Sequence, residues 1–175
     1  MIISLVWGYT NIDMVIKAII GIGNPGPKYE RTFHNAGMVV ANKIEKLAQE
    51  SLPGVQFLYS DKFMNQSGPA VKDLLKNKNF DIQNCIICHD DSDLSLGTFK
   101  LSRDRSGAGH RGAESIIASF GTQDFWRLRI GIRNPKEKIR QKAEDFVLKH
   151  FGFFANRAFS KVAEQALVEI ERIVG

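Results

Sequence analysis

The sequence predicts an α/β fold, a single domain built on a mixed β-sheet flanked by helices. Three observations predict it. Apolar runs of strand length, near 16–22 and 85–88, each end in a turn rich in glycine, proline or acidic residues. Segments with helical periodicity are interleaved with these runs, the pattern of a sheet covered by helices. The 175 residues, 43% hydrophobic and 25% charged, have the size and composition of one globular unit with a substantial core. No repeat, low-complexity tract or linker divides the chain, so the domain is assigned to 14–175. Residues 1–13 are read as an N-terminal extension of unassigned role. They are apolar, lack Lys and Arg, and are too short to cross a bilayer, so neither a signal peptide nor an anchor fits.

Taken in order, the first strand spans 16–22 and is stopped by Gly23, Pro25, Gly26 and Pro27. The polar loop that follows carries Asn24, Tyr29, His34 and Asn35, and a helix is expected over 36–49, with Val40, Ile44 and Leu47 on one face. A strand is expected at 55–59 and a short helix over 68–77 with Val71, Leu74 and Leu75 toward the core. The run 85–88 is a buried strand leading into a loop with Asp90, Asp91 and Asp93. Its Cys85 and Cys88 point to opposite faces and are read as reduced core residues, in keeping with a cytoplasmic protein. A strand at 97–101, a basic glycine loop at 102–112 and a helix over 112–120 follow. Arg127 and Arg129 share one face of a strand over 127–132, and a helix over 156–174 carries Phe159, Val162, Ala163, Ala166, Leu167, Ile170 and Ile173 in one stripe.

Gly21-Ile22-Gly23-Asn24-Pro25-Gly26 satisfies the dinucleotide pattern G-x-G-x-x-G directly after a strand. Pro25 and Pro27 lack the N–H groups that such a loop turns toward a pyrophosphate, and helical periodicity resumes only near Asn35. Nucleotide binding is therefore disfavoured and no cofactor is expected. The net charge of +5 leans toward a polyanionic partner without deciding it.

Among the four histidines, His34 has the best context for catalysis, in a loop at a strand end. Loops at the same strand ends meet in space, so Asp90 or Asp93 is a candidate partner that would fix the tautomer of His34 and leave its second nitrogen to take a proton from water. The three aspartates would also suit a cation, but the further oxygen ligands of a calcium loop are missing, and no metal is expected. His89 is read as structural, His150 as a solvated surface residue, and His110 as shaping the glycine loop or touching phosphate. Asn24 and Asn65 supply uncharged hydrogen-bonding groups suited to a water or an oxyanion. Lys100, Arg127 and Arg129 suit either a phosphate clamp or a solvated sheet face.

These pieces, in this order, resemble the bacterial-type peptidyl-tRNA hydrolases. The resemblance rests on the loop from Gly21 to Gly26 with Tyr29, on Thr32-Phe33-His34-Asn35-Ala36-Gly37, and on Phe63-Met64-Asn65-Gln66-Ser67-Gly68. It continues in His89-Asp90-Asp91-Ser92-Asp93-Leu94, Gly109-His110-Arg111-Gly112, Arg127-Leu128-Arg129-Ile130-Gly131-Ile132 and Asp145-Phe146-Val147-Leu148. It implies hydrolysis of the ester joining peptide to tRNA, recycling tRNA from aborted translation, by a monomer whose partner is peptidyl-tRNA. By the same resemblance His34 would be the general base and Asp90 would stabilise its working form. Asn24 would sense the blocked amino group, and Asn65 would position substrate or water. Tyr29, Phe63 and Met64 would line the groove, Lys100 and Arg129 would clamp a phosphate, and His110 and Arg111 would contact tRNA. Arg111 stands where the family usually has asparagine and Phe33 where it usually has arginine, which implies altered or weaker activity rather than its loss. The alternative is a non-catalytic RNA-binding member of the same fold.

Overall fold

The computed structural model describes residues 15–136 and 142–174; the 1–13 extension lies outside the described residues. Five strands form one sheet: β1 (Ala18–Gly21), β2 (Gln56–Tyr59), β3 (Cys85–Ser95), β4 (Phe99–Arg103) and β5 (Trp126–Arg133). Their order across the sheet is β2-β1-β3-β5-β4. The first four strands in that order run parallel and β4 is antiparallel to β5, so the sheet is mixed, as the sequence predicts. Helices α1 (Ala36–Leu47) and α4 (Phe153–Val174) supply the helical part of the core on one face, while α2 (Ser67–Lys78) packs with α3 (Arg111–Phe120) on the other.

Alternation along the strands explains the two cores. Ile19, Ile86, Cys88, Leu128 and Ile130 join the α1–α4 cluster, while Ala18, Ile20, Cys85 and Ile87 join the other. The two cysteines are therefore on opposite faces, free and buried, and burial pushes the Cys85 thiol up to about 12. Leu47, expected in the core, is 49% exposed because it is the last residue of α1; Ala48, one turn after Ile44, takes the buried place.

Two features of the backbone shape the functional end. After β1 the chain turns to β2 on one side, and β3 lies on the other, so the sheet has a switch point between β1 and β3, where open α/β sheets form a crevice at the strand ends. The segment expected as an acidic loop after residue 88 is instead strand. β1 leaves the ladder at the Gly21–Cys88 pair, but β5 runs on beside β3, pairing Asp90 with Ile130 and Asp91 with Gly131. His89, Asp90 and Asp91 are thus held on rigid backbone with one flank open to the crevice.

Candidate active site

The loop after β1 is anchored before it reaches His34. Thr32 forms an antiparallel bridge with His150, and the N–H groups of Phe33 and His34 donate to the carbonyls of Lys149 and Val147. A 3-10 turn, Phe33–Asn35, feeds directly into α1. Gly37 lets that helix lie against β3: a Cβ there would meet the Cys88 carbonyl oxygen at 2.2 Å. The close approach brings His34 to the end of β3.

His34 Nδ1 lies 2.8 Å from Asp90 Oδ1. Asp90 is buried, and burial alone would raise its carboxyl, but the His110 and His34 rings facing it outweigh this and hold it well below the usual carboxylate range. An ionised Asp90 accepts from His34 Nδ1–H, which leaves Nε2 as the ring's free acceptor. This nitrogen has no hydrogen-bond partner among the described residues.

A second imidazole completes the group. His110 Nε2 lies 2.8 Å from the same Asp90 oxygen. His110 is also the N-cap of α3, its Nδ1 accepting from the Ala113 N–H at 3.1 Å. That bond fixes the tautomer: with Nδ1 accepting, the proton sits on Nε2 and points at Asp90. His34, Asp90 and His110 each offer an atom that could hold a cation, but the His110 nitrogen nearest Asp90 is already protonated. The trio is therefore a hydrogen-bonded cluster. His89 packs beside His110, ring centroids 4.4 Å apart, and donates Nδ1–H to the Asp90 carbonyl at 2.7 Å. Burial, with the neighbouring His110, keeps His89 neutral.

On the other side of His34, Asn35 fastens the glycine loop. Its Oδ1 accepts from the Asn24 N–H at 2.8 Å and its Nδ2 donates to the Asn24 carbonyl at 2.9 Å. Asn24 Oδ1 in turn accepts from the Met64 N–H at 2.8 Å, which commits the amide oxygen and orients the NH2 group. The Met64 side chain, expected in the groove, is 3% exposed and packed in the α2–α3 core, so its contribution here is its main-chain donor. Asn65 follows in an exposed 3-10 turn, without a hydrogen-bond partner among the described residues. Phe63 is 48% exposed and meets Tyr29 edge-on at 6.0 Å, forming one aromatic wall.

A cavity of about 590 Å³ opens beside the cluster, lined among others by His34, Asp90, His110, Arg111, Arg129 and Lys142. Arg111 is exposed at the start of α3. Lys100 is exposed directly opposite Arg129 in the β4–β5 ladder. Arg129 is held by Asp91, with Nε and Nη2 each 2.6 Å from Oδ2. Arg127 belongs neither to a clamp nor to a solvated face: it is 1% exposed and donates to the Ser106 carbonyl beneath the glycine loop. His150 is exposed as expected, yet it also donates Nε2–H to the Lys28 carbonyl.

The sequence profile described as Peptidyl-tRNA hydrolase matches residues 18–175. This chain belongs to the peptidyl-tRNA hydrolase family. The peptidyl-tRNA hydrolase of Aquifex aeolicus (strain VF5) is 36% identical over 170 residues, covering 88% of each chain. That of Mycoplasma capricolum subsp. capricolum is 38% identical over 78% of this chain and 81% of its own. Among solved structures, the Acinetobacter baumannii peptidyl-tRNA hydrolase superposes with a TM-score of 0.79 at 24% identity, covering 95% of this chain and 91% of that one, a likeness of fold. A peptidyl-tRNA hydrolase complexed with N-propanol gives a TM-score of 0.78 at 25% identity with the same coverage.

Sequence reasoning leaves Asn35 and Ala113 without a role, and weighs Asp91 only as part of a cation site rather than as the partner of Arg129. Asn35 has a signal, an amide adjacent to the candidate base and 11 residues from Asn24. The Asp91–Arg129 pair and the Ala113 donor depend on strand register and on a cap, and no spacing in the sequence announces them.

Proposed function

We propose that this chain hydrolyses the ester bond between a peptide and the terminal ribose of tRNA, with His34 as general base. One observation carries the reading: a histidine at the crevice keeps one ring nitrogen on a buried, ionised aspartate and leaves the other free. His34 Nε2 takes a proton from water as the water oxygen attacks the ester carbonyl, and the imidazolium that forms faces Asp90. Collapse of the tetrahedral adduct breaks the bond to the ribose oxygen, and the imidazolium returns its proton to that oxygen. The products are a peptide carboxylic acid, which loses its remaining proton to solvent, and a tRNA with a free hydroxyl.

The Asn24 and Asn65 amides are uncharged donors for the developing oxyanion or the peptide carbonyl. Tyr29 and Phe63 wall the groove for substrate. Arg111, Lys100 and Arg129 meet tRNA phosphates, with Asp91 orienting the last of these. The chain acts as a monomer in the cytoplasm, without metal or cofactor, and residues 1–13 stand outside the chemistry of the 14–175 domain. Among the described residues no helix is long and apolar enough to cross a membrane.

The test is release of peptide from purified peptidyl-tRNA by the wild-type protein. Catalytic turnover supports the reading. Tight tRNA binding with no release at any protein concentration would replace it with the RNA-binding alternative, which the intact His34–Asp90 contact does not favour.

A further inference from the structure

Phe153 and Phe154 open α4 and are 71% and 86% exposed, the two most exposed large apolar side chains among the described residues. Their ring centroids are 6.0 Å apart at an interplanar angle of 75°. The nearby aromatic packing is made by Phe33, Phe151 and Phe159 instead, and most of the surface of Phe153 and Phe154 stays outside the core. Exposing two adjacent phenylalanines forgoes burial free energy, and such a feature calls for a ligand.

The surroundings indicate the ligand's charge. The bridge between Thr32 and His150 and the Phe151 N–H to Arg31 carbonyl bond bring segments 28–34 and 146–157 together. Within them lie Lys28, Arg31, Lys149 and Arg157, four cations against the one carboxylate of Glu30. All four cations are exposed. Arg157 stands one helical turn after Phe153, on the same side of α4, and Arg31 lies over the Phe151 ring at 5.9 Å. Exposed aromatic rings interleaved with cations are what single-stranded nucleic acid binds, the rings taking base faces and the cations the backbone. An acidic peptide would use the cations but not two bare rings. The patch is also coupled to the candidate base, because the same segment accepts the His34 N–H at Val147.

We propose that Phe153 and Phe154, flanked by Arg31, Lys149 and Arg157, form a stacking platform for unpaired RNA bases beside the His34 loop. The proposal rests on the reading that the substrate is a tRNA, and it adds a contact surface outside the catalytic cavity. It makes the single-stranded end of the substrate the natural occupant, since that end must approach His34.

The test uses the full chain and an RNA tetranucleotide, ACCA, with 2-aminopurine at one base. Wild-type protein is expected to change the probe's fluorescence on binding, with affinity that falls as salt rises. The double variant Phe153→Ser/Phe154→Ser is expected to bind about tenfold more weakly, the loss of one stacked base. Its KM for peptidyl-tRNA is expected to rise similarly while kcat stays within about twofold. Phe153→Tyr/Phe154→Tyr, which keeps both rings, is expected to restore binding. Unchanged RNA affinity in the serine variant overturns the platform. So does unchanged RNA affinity accompanied by a dimer-to-monomer shift in sedimentation, which would make a second copy of the chain the occupant. Wild-type hydrolysis is measured alongside: its absence would sink the enzymatic reading, whereas hydrolysis together with unchanged oligonucleotide affinity in the serine variant would sink only the platform. Oligonucleotide binding decides the platform in either case.

Discussion

Replacing Asp90 with asparagine separates the charge of this residue from its shape. The amide oxygen introduced by Asp90→Asn can still accept from both imidazole N–H groups, so neither buried donor is orphaned and the fold should persist. What is lost is the negative charge facing the imidazolium that forms on His34. Two unit charges about 4 Å apart at an effective dielectric near 20 interact by about 4 kcal/mol. At roughly 1.4 kcal/mol per decade of rate, kcat should fall about a thousandfold. The Asn24, Asn65, Tyr29 and Phe63 contacts are untouched, so KM for peptidyl-tRNA should stay within about threefold. Steady-state release of labelled peptide, with circular dichroism to confirm folding, reads both quantities. A folded Asp90→Asn protein with kcat within tenfold of wild type would refute the electrostatic role given to this carboxylate.

Three further outcomes follow from the geometry. Asparagine is a good N-cap but cannot send a ring N–H to the buried Asp90 carboxylate, so His110→Asn should lower stability by about 1.5–3 kcal/mol and kcat about tenfold; urea unfolding and peptide release check the two halves. Gly37→Ala sets a methyl against the Cys88 carbonyl and should cost about 2 kcal/mol or more in the same unfolding measurement. Acidification should destabilise the protein in two windows. His89 is kept neutral, so its contribution is whole above the unfolded histidine value of about 6.5 and declines as pH falls below it. Asp90 is held low, so its contribution is whole above the unfolded value of about 3.9 and is lost as pH falls toward the native value. Unfolding free energy measured from pH 7 to 3 should show both, and His89→Asn should flatten the upper window.

Much of this arrangement is legible in the sequence because it follows from local patterns. The apolar runs place β1 and the first half of β3, and the periodicity of residues 159–173 places the core face of α4. The rule that neighbouring strand ends share a crevice narrows the partner of His34 to Asp90 or Asp93, and the family resemblance singles out Asp90, the residue found at 2.8 Å. The strand through His89, Asp90 and Asp91 is not legible, because those residues are polar and only the presence of β5 alongside keeps them in the ladder. Arg127 reads as a surface cation since alternation assigns it a face but not what covers that face; the glycine loop does, through Ser106. The family resemblance assigns Met64 to the groove together with Phe63, but its side chain is buried within the 3-10 turn Met64–Gln66 while Phe63 is exposed. The role of His110 is hidden because its two nitrogens serve a helix cap and a carboxylate that is 20 residues away.

The most direct test removes the base itself. His34→Ala protein is assayed for peptide release from purified peptidyl-tRNA and, in parallel, for tRNA binding. If Nε2 of His34 is what deprotonates water, release falls by at least about a hundredfold while tRNA affinity is retained. Release at the wild-type rate by the folded variant would contradict the account at its centre.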